Sequence, residues 1–314
     1  MTVLPARAPA AVVGLLLGLA ALAAACARPA ARGDSPAGSG GATIQNTGSD
    51  TMVNIALAWA EAYRVERPEV QVAVTGGGSG TGIAALINGT VDIANASRAM
   101  NEEEVAEARA NGVEPVAHTV AVDALAVIVN PANPVDRLTI PQLSDIFTGR
   151  ITRWSEVGGA DRPIIPVSRE TNSGTHVYFL EEVVRRGEGD NTDIFAPQTL
   201  LMPSSVGITS EVRRNPNAIG YDGLGYVTAD EKVIAVAPQP GEPYALPSVA
   251  TAADGSYVLS RPLYMITPGE PRGEIASYLE WILGPSGQAI VSEQGFVPVA
   301  TGASADATDS ASGG

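Results

Sequence analysis

The chain has 314 residues, 45 % of them hydrophobic, which is enough for packed cores in two lobes of ordinary domain size. Its formal charge is −15, from 34 acids against 19 bases of which only Lys232 is a lysine. That field excludes nucleic acid and an anionic membrane surface as partners, whereas a small anion stays possible, because one or two buried arginines outweigh a distant, screened charge.

The N-terminus reads as a targeting segment. A single basic residue, Arg7, precedes an apolar run that ends on small residues just before Cys26, the only cysteine; at about 15 residues the run suits a signal peptide and is short for a membrane span. The pattern resembles a bacterial lipoprotein signal over residues 1–25, with Cys26 as the lipidated mature N-terminus; an ordinary secretory signal is the alternative. With one cysteine no disulfide forms within the chain. Residues 26–41, rich in Gly, Ser, Pro and Ala, read as a flexible tether, and 301–314 as a disordered tail.

In the body between them, short β-rich runs alternate with helical patterns. "TMVNIALAWAEAYRVERP" puts Met52, Ala56, Trp59 and Tyr63 at helical spacing and closes on Pro68. "VQVAVTG" is a strand candidate, and "IAALINGT" a helix with Gly89 placed as its C-cap. "VDIANAS", "ALAVIVNP" and "PIIPVSR" are further strands, "TIPQLSDIFTG" and "EIASYLEWILGP" further amphipathic helices. Such alternation predicts an α/β fold with mainly parallel sheets.

Four strand ends carry groups that suit an anion. "NTGSDTM" places Ser49, Asp50 and Thr51 between a strand and a helix, and "TGGGSGTG" places Ser79 in the most glycine-dense segment of the body. Backbone N–H groups at such a helix start lack internal partners and hold anions without a cationic side chain. No Lys-Ser/Thr pair follows the glycines, so this is not a Walker loop, and "GTGIAA" matches the dinucleotide pattern only loosely. "VDIANASR" ends in Ser97 and Arg98; "PIIPVSRETNSGT" ends its strand at Arg169 and then supplies Ser173, Gly174 and Thr175 to a helix beginning near His176. Arginine presents a planar donor set that fits a tetrahedral oxyanion, and all four segments sit at carboxyl ends of strands, where open α/β sheets bind ligands. Plainer roles stay open at two positions: Asp50 as a helix cap and Arg98 as an ion-pair partner.

Metal chemistry lacks ligands, since the histidines are His118 and His176 alone and no "DxDxDG" spacing occurs. Enzymatic use of Ser173 or Ser79 as a nucleophile requires a base in reach. His176 lies along the same short turn as Ser173 and Arg169 is a poor base, so the expectation is a binding protein and no enzyme.

These segments together resemble the phosphate-binding lipoproteins of bacterial ABC importers. "GSDTM", "GGGSGTGIAALINGTVDIANASR", "LAVIVNPANPV", "IFTGRITRW", "SRETNSGT", "AIGY" and "GFVPV" carry the resemblance from about Thr43 to Val299. It implies the two-lobed periplasmic binding protein fold, type II, with a ligand cleft between α/β lobes joined by two crossover segments: 42–119 with 261–300 as lobe 1, and 120–260 as lobe 2. It implies inorganic phosphate as ligand, an ABC permease as membrane partner, a monomer anchored through Cys26 outside the cytoplasm, and no cofactor. By position it implies phosphate contacts from Ser49, Asp50, Thr51, Ser79, Arg169, Ser173, Gly174 and Thr175, and it adds Ser97 and Arg98 where better-known members place an aspartate. Phosphate near neutral pH carries a proton, so an ionised Asp50 can accept it while repelling sulfate, which has none to give. Two alternatives remain: a phosphate sensor or surface protein without a transport role, and a binder of sulfate or molybdate.

Overall fold

The computed structural model describes residues 42–299; the signal segment, Cys26, the tether and the tail lie outside the described residues. Strand β1 (Ala42–Gly48) leads through a 3-10 turn at Asp50–Met52 into helix α1 (Val53–Glu66). Met52, Ala56, Trp59 and Tyr63 are all buried, as their spacing requires. Then come β2 (Val70–Thr75), α2 (Ser79–Ile87), β3 (Ile93–Ala96) and α3 (Glu102–Ala110). Gly89, at φ +64, follows Asn88 at the end of α2 and takes the left-handed conformation expected of it. α3 opens on a full capping box between Asn101 and Glu104.

Strand β4 (Val116–Val129) is the longest, with 14 residues. It is followed by β5 (Arg137–Thr139), α4 (Ile140–Phe147), β6 (Ile165–Arg169) and α5 (Gly174–Phe179), which runs on into a π-turn at Leu180–Val184. β7 (Leu200–Met202), α6 (Ser205–Arg214), β8 (Ala218–Gly223), β9 (Lys232–Ala237) and α7 (Val249–Ala253) follow. β10 (Ser260–Thr267), α8 (Gly273–Leu283) and α9 (Pro285–Glu293) close the described chain.

The strands hydrogen-bond in the order β2-β1-β3-β10-β4-β8-β6-β7, with β9 joining β4 to β5. β4 serves two parts of this sheet: its first half, Val116 to Ala124, pairs with β10, and its second half, from Leu125, pairs with β8 and β9. One hydrophobic core gathers Trp59, Tyr63, Met265, Tyr278 and Phe296 beside the first half. Another gathers Phe147, Phe179, Tyr221 and Trp154 beside the second, where the Phe179 and Tyr221 rings stack 3.7 Å apart. The result is a two-lobed α/β fold in which β4 runs through both parts of the sheet and β10 pairs antiparallel with its first half.

The expectation of mainly parallel sheets needs correcting. Pairs β1–β2, β1–β3, β5–β9, β6–β7 and β6–β8 are parallel, but every pair made by β4 or β10 is antiparallel. The βα alternation dictates parallel pairing among β1, β2 and β3 and among β6, β7 and β8; β4 and β10 run against every strand they pair with, and so they make the sheet mixed.

Candidate functional site

The carboxyl ends of β1, β2 and β3 bring together "GSDTM", the glycine loop and "ASR", while β6 brings Arg169 and the start of α5 against them. Gly48 makes the first turn possible: its φ is +145, and a Cβ there would overlap the backbone oxygen of Asn95. Ser49 is buried and donates its backbone N–H to that same oxygen at 2.8 Å.

Asp50 does not cap its own helical turn, which has no side-chain cap. Its Oδ2 instead accepts from Arg169 Nη2 at 2.6 Å, and Oδ1 accepts from the Gly77 N–H at 3.2 Å. Arg169 is 1 % exposed. Its Nε and Nη2 donate to the carbonyls of Met202 and Pro203, and Nη1 donates to Ser205 Oγ at 3.2 Å. A buried guanidinium held on all sides in this way has one orientation, which suits the recognition of a fixed anion.

Thr51 and Thr175 meet hydroxyl to hydroxyl at 2.8 Å across the two lobes. Ser79 is fully buried; its Oγ accepts from the Ser97 N–H at 3.0 Å and lies 3.3 Å from Ser97 Oγ. Ser173 N-caps α5, with its Oγ accepting from the Thr175 N–H at 3.2 Å. Gly174 is required by close approach: a Cβ there would collide with Ser79 Oγ and stand 2.6 Å from Ser97 Oγ. Asn172 completes the contact between loops, accepting from the Gly80 N–H at 2.9 Å and donating through Nδ2 to the Gly77 carbonyl at 2.8 Å.

Ser49, Thr51, Ser79, Ser97, Arg169, Ser173, Gly174 and Thr175, all buried, thus form one cluster with the partly exposed Asp50. Arg98 is adjacent but engaged elsewhere. Both its terminal nitrogens donate to the Glu104 carboxylate at 2.7 Å, and burial, which raises the Glu104 pKa, is outweighed by these bonds, which hold it low. The helix at Ser173 starts at Gly174, two residues before His176. His176 is buried and stacks on Phe195 at 4.6 Å, and its Nδ1 contacts the Arg169 carbonyl at 2.9 Å and Ser168 Oγ at 3.1 Å. Burial, more than the Arg169 charge, pushes its pKa down. Among the described residues it makes no hydrogen bond to Ser173 or Ser79, and no group of three or more His, Cys, Asp or Glu is placed to hold a metal ion.

Sequence reasoning missed a second layer. Arg261 of β10 faces Asp123 of β4 in register, Nη2 and Nε donating to Asp123 Oδ2 at 3.0 and 3.3 Å, and Nη2 also reaches Thr175 Oγ1 at 2.8 Å. Ser205, the first residue of α6, donates to Asp222 Oδ1 at 2.8 Å, and Tyr226 donates its hydroxyl to the Asp50 carbonyl at 2.6 Å. A signal existed: "VAVDALAV", "LSRPLYMI" and "AIGYDGLG" each set one charge inside an apolar run, and a buried charge is costly enough to need a partner.

A family model described as PBP superfamily domain matches residues 34–286. The phosphate-binding protein PstS of Pseudomonas aeruginosa is 33 % identical over 273 residues, covering 82 % of this chain and 83 % of its own length. PstS of Bacillus subtilis is 33 % identical over 270 residues, covering 86 % and 84 %. Among solved structures, a putative phosphate ABC transporter substrate-binding protein from Clostridium perfringens, with bound phosphate, superposes with a TM-score of 0.73 at 32 % identity, covering 82 % of this chain and all of that one. An ABC-type phosphate transport receptor from Vibrio cholerae gives 0.66 at 31 %, with coverage of 82 % and 100 %. With a buried arginine and four donor loops gathered between two α/β lobes, and with likeness running through nearly the whole described body, this chain belongs to the family of phosphate-binding proteins within the PBP superfamily.

Proposed function

We propose that the chain captures inorganic phosphate in its interlobe cleft and delivers it to an ABC-type permease, acting outside the cytoplasm as a monomer anchored by lipid on Cys26. The lobes in this reading are 42–119 with 261–300, and 120–260, hinged where β4 and β10 cross. The observation that carries it is Arg169 clamped at the cleft, with Asp50 of the opposite lobe 2.6 Å away, on the same strand-end loops that pair the hydroxyls of Thr51 with Thr175 and of Ser79 with Ser97. Arg169 supplies the charge and the hydroxyls and the α5 N–H groups supply neutral donors. Asp50 accepts the anion's proton, a bond that sulfate cannot offer. Arg98, its two terminal nitrogens held by Glu104, fixes the Ser97 loop from behind. The sequence motif before Cys26 supports the anchor. Among the described residues no base is hydrogen-bonded to Ser173 or Ser79, which favours a site that holds its ligand and leaves it unchanged.

Thermal unfolding of the whole protein tests this. Phosphate at about 100 times its Kd stabilises by about 2.7 kcal/mol, sulfate at the same concentration does not, and Arg169→Ala loses the phosphate effect. Equal shifts from the two anions would refute the assignment.

A further inference from the structure

Asp222, near the end of β8, makes no direct contact with the groups that would hold phosphate, apart from the Ser205 hydroxyl it shares with Arg169. It is fully buried, and its Oδ1 accepts from Ser205 Oγ at 2.8 Å and from the Gly223 N–H at 2.9 Å. Its Oδ2 is buried without a hydrogen-bond partner. No cation touches either oxygen. The link to charge is indirect: Arg169 Nη1 donates to Ser205 Oγ, so the hydroxyl relays between the clamp arginine and the carboxyl behind it.

The groups facing Asp222 come from every element packed on β8. β6 brings Arg169, and β4 brings the buried Asp123 with its Arg261 partner. The 3-10 turn after β8 brings the Tyr226 hydroxyl, and the loop after β1 brings Asp50 through Arg169. α6 contributes the Ser205 hydroxyl; its charged residues sit at its far end, Glu211 paired with Arg214 and Arg213 with Glu231. With every group ionised, Asp50, Asp123 and Asp222 face two arginines, so this buried cluster is net negative before any anion arrives. A dianion entering such a cluster meets repulsion that little solvent screens.

We propose that Asp222 is a positioning residue for Arg169, and that phosphate capture places a proton from solvent on its unpartnered Oδ2, so that the anion settles against a neutral cluster. The step is a simple protonation of a carboxylate, reversed on release. It rests on the phosphate assignment. Burial, the largest cause, together with the Asp123 charge already pushes the Asp222 pKa up to about 7 against the pull of Arg169 and Ser205. A second negative charge nearby pushes it further in the same direction.

The test is calorimetric titration of phosphate into the full chain at pH 8, in two buffers of different ionisation enthalpy, which reads the protons taken up per phosphate bound. Phosphate's own protonation contributes equally to wild type and to the isosteric Asp222→Asn. Proton uptake by the wild type is therefore expected to exceed that of Asp222→Asn by about half a proton or more, from a bound-state pKa raised by one to two units, and wild-type affinity to fall more steeply between pH 8 and pH 9. Ser205→Ala, which removes a donor from the carboxylate and leaves Asp222 protonated beforehand, is expected to reduce the uptake as well. Equal uptake in wild type and both variants, with phosphate bound by each, would overturn the proposal and leave the phosphate assignment standing. Absence of phosphate heat in the wild type would overturn both.

Discussion

Arg261→Met tests what the strands that join the lobes depend on. Arg261 and Asp123 are 2 % and 0 % exposed, and Asp123 Oδ2 takes both side-chain bonds while Oδ1 has none. Methionine keeps the bulk of the side chain over the Tyr178 ring, which the guanidinium now faces at 5.2 Å, but removes the charge. Breaking a buried pair from one side costs about 3–5 kcal/mol, because the survivor is left as an uncompensated charge. For a body of this size that is a fall in Tm of about 6–20 °C. The cost should depend on pH. Burial already raises the Asp123 pKa despite Arg261, and without the arginine it rises further above its unfolded value. The folded variant then binds more protons than the unfolded chain, so its stability falls as pH rises from about 4. Unfolding in urea followed by circular dichroism at pH 5 and pH 8 should therefore show the larger loss at pH 8. In Asp123→Leu with Arg261→Met no unpaired charge remains, and more than half of the loss should return. A single variant losing under about 1 kcal/mol at pH 8, or losing the same at both pH values, would refute the argument that this pair is a buried, uncompensated liability when split.

Gly174→Ala puts a methyl group against Ser79 Oγ and 2.6 Å from Ser97 Oγ; forcing these loops apart costs about 1–3 kcal/mol, expected as a 5- to 150-fold weaker phosphate Kd by calorimetry, with the Tm measured without phosphate little changed. Gly48→Ala should act on folding instead, since φ +145 is unfavourable for alanine and its methyl overlaps the Asn95 oxygen; a loss of at least about 2 kcal/mol in urea midpoint analysis is expected. Asp222→Asn should flatten a pH dependence of stability. With a folded pKa of about 7 against 3.8 unfolded, the native wild type holds the extra proton and loses up to about 4 kcal/mol as pH rises from 4 to 8, whereas parallel wild-type and variant curves would contradict it.

Local physics made much of this fold legible. Met52, Ala56, Trp59 and Tyr63 announce α1 because one helical face must be buried, and Gly89 marks the end of α2 because few other residues take φ +64. The strand ends were equally readable, since Gly48, the glycine loop and "NSGT" punctuate them. β10 and the first half of β4 were not, although "ALAVIVNP" announced the second half of β4. The first half of β4 sets exposed Ala117 and Thr119 beside half-buried Val116 and His118, and β10 carries Arg261 and Pro262 near its start. Polar residues at these positions and Pro262 weaken a strand pattern unless a distant partner is known, and Asp123 and Arg261 are 138 residues apart. Ser205 carried no signal, and the charge of Asp222 in its apolar run did not reveal its partner, for the same reason. Their meaning comes from Arg169, brought to them by β6 lying beside β8. Arg98 was ambiguous because its partner Glu104 belongs to a local capping box whose second duty cannot be read from spacing.

The acidity of the chain and its affinity for an anion are reconciled at short range. A formal charge of −15 spread over the surface is screened within about 8 Å at physiological salt, so it governs which polymers approach and not what the cleft holds. Inside, two arginines are each answered by a carboxylate, Arg169 by Asp50 and Arg261 by Asp123. A site built this way gains little from bulk charge attraction. Discrimination must come from matching each anion oxygen to a donor and each anion proton to an acceptor, since an unmatched buried group costs about 1–3 kcal/mol. In the proposed site, sulfate fails that match at Asp50 by lacking a proton. Under that proposal the Asp50 carboxylate beside Arg169 is what converts a general anion trap into one that reads protonation.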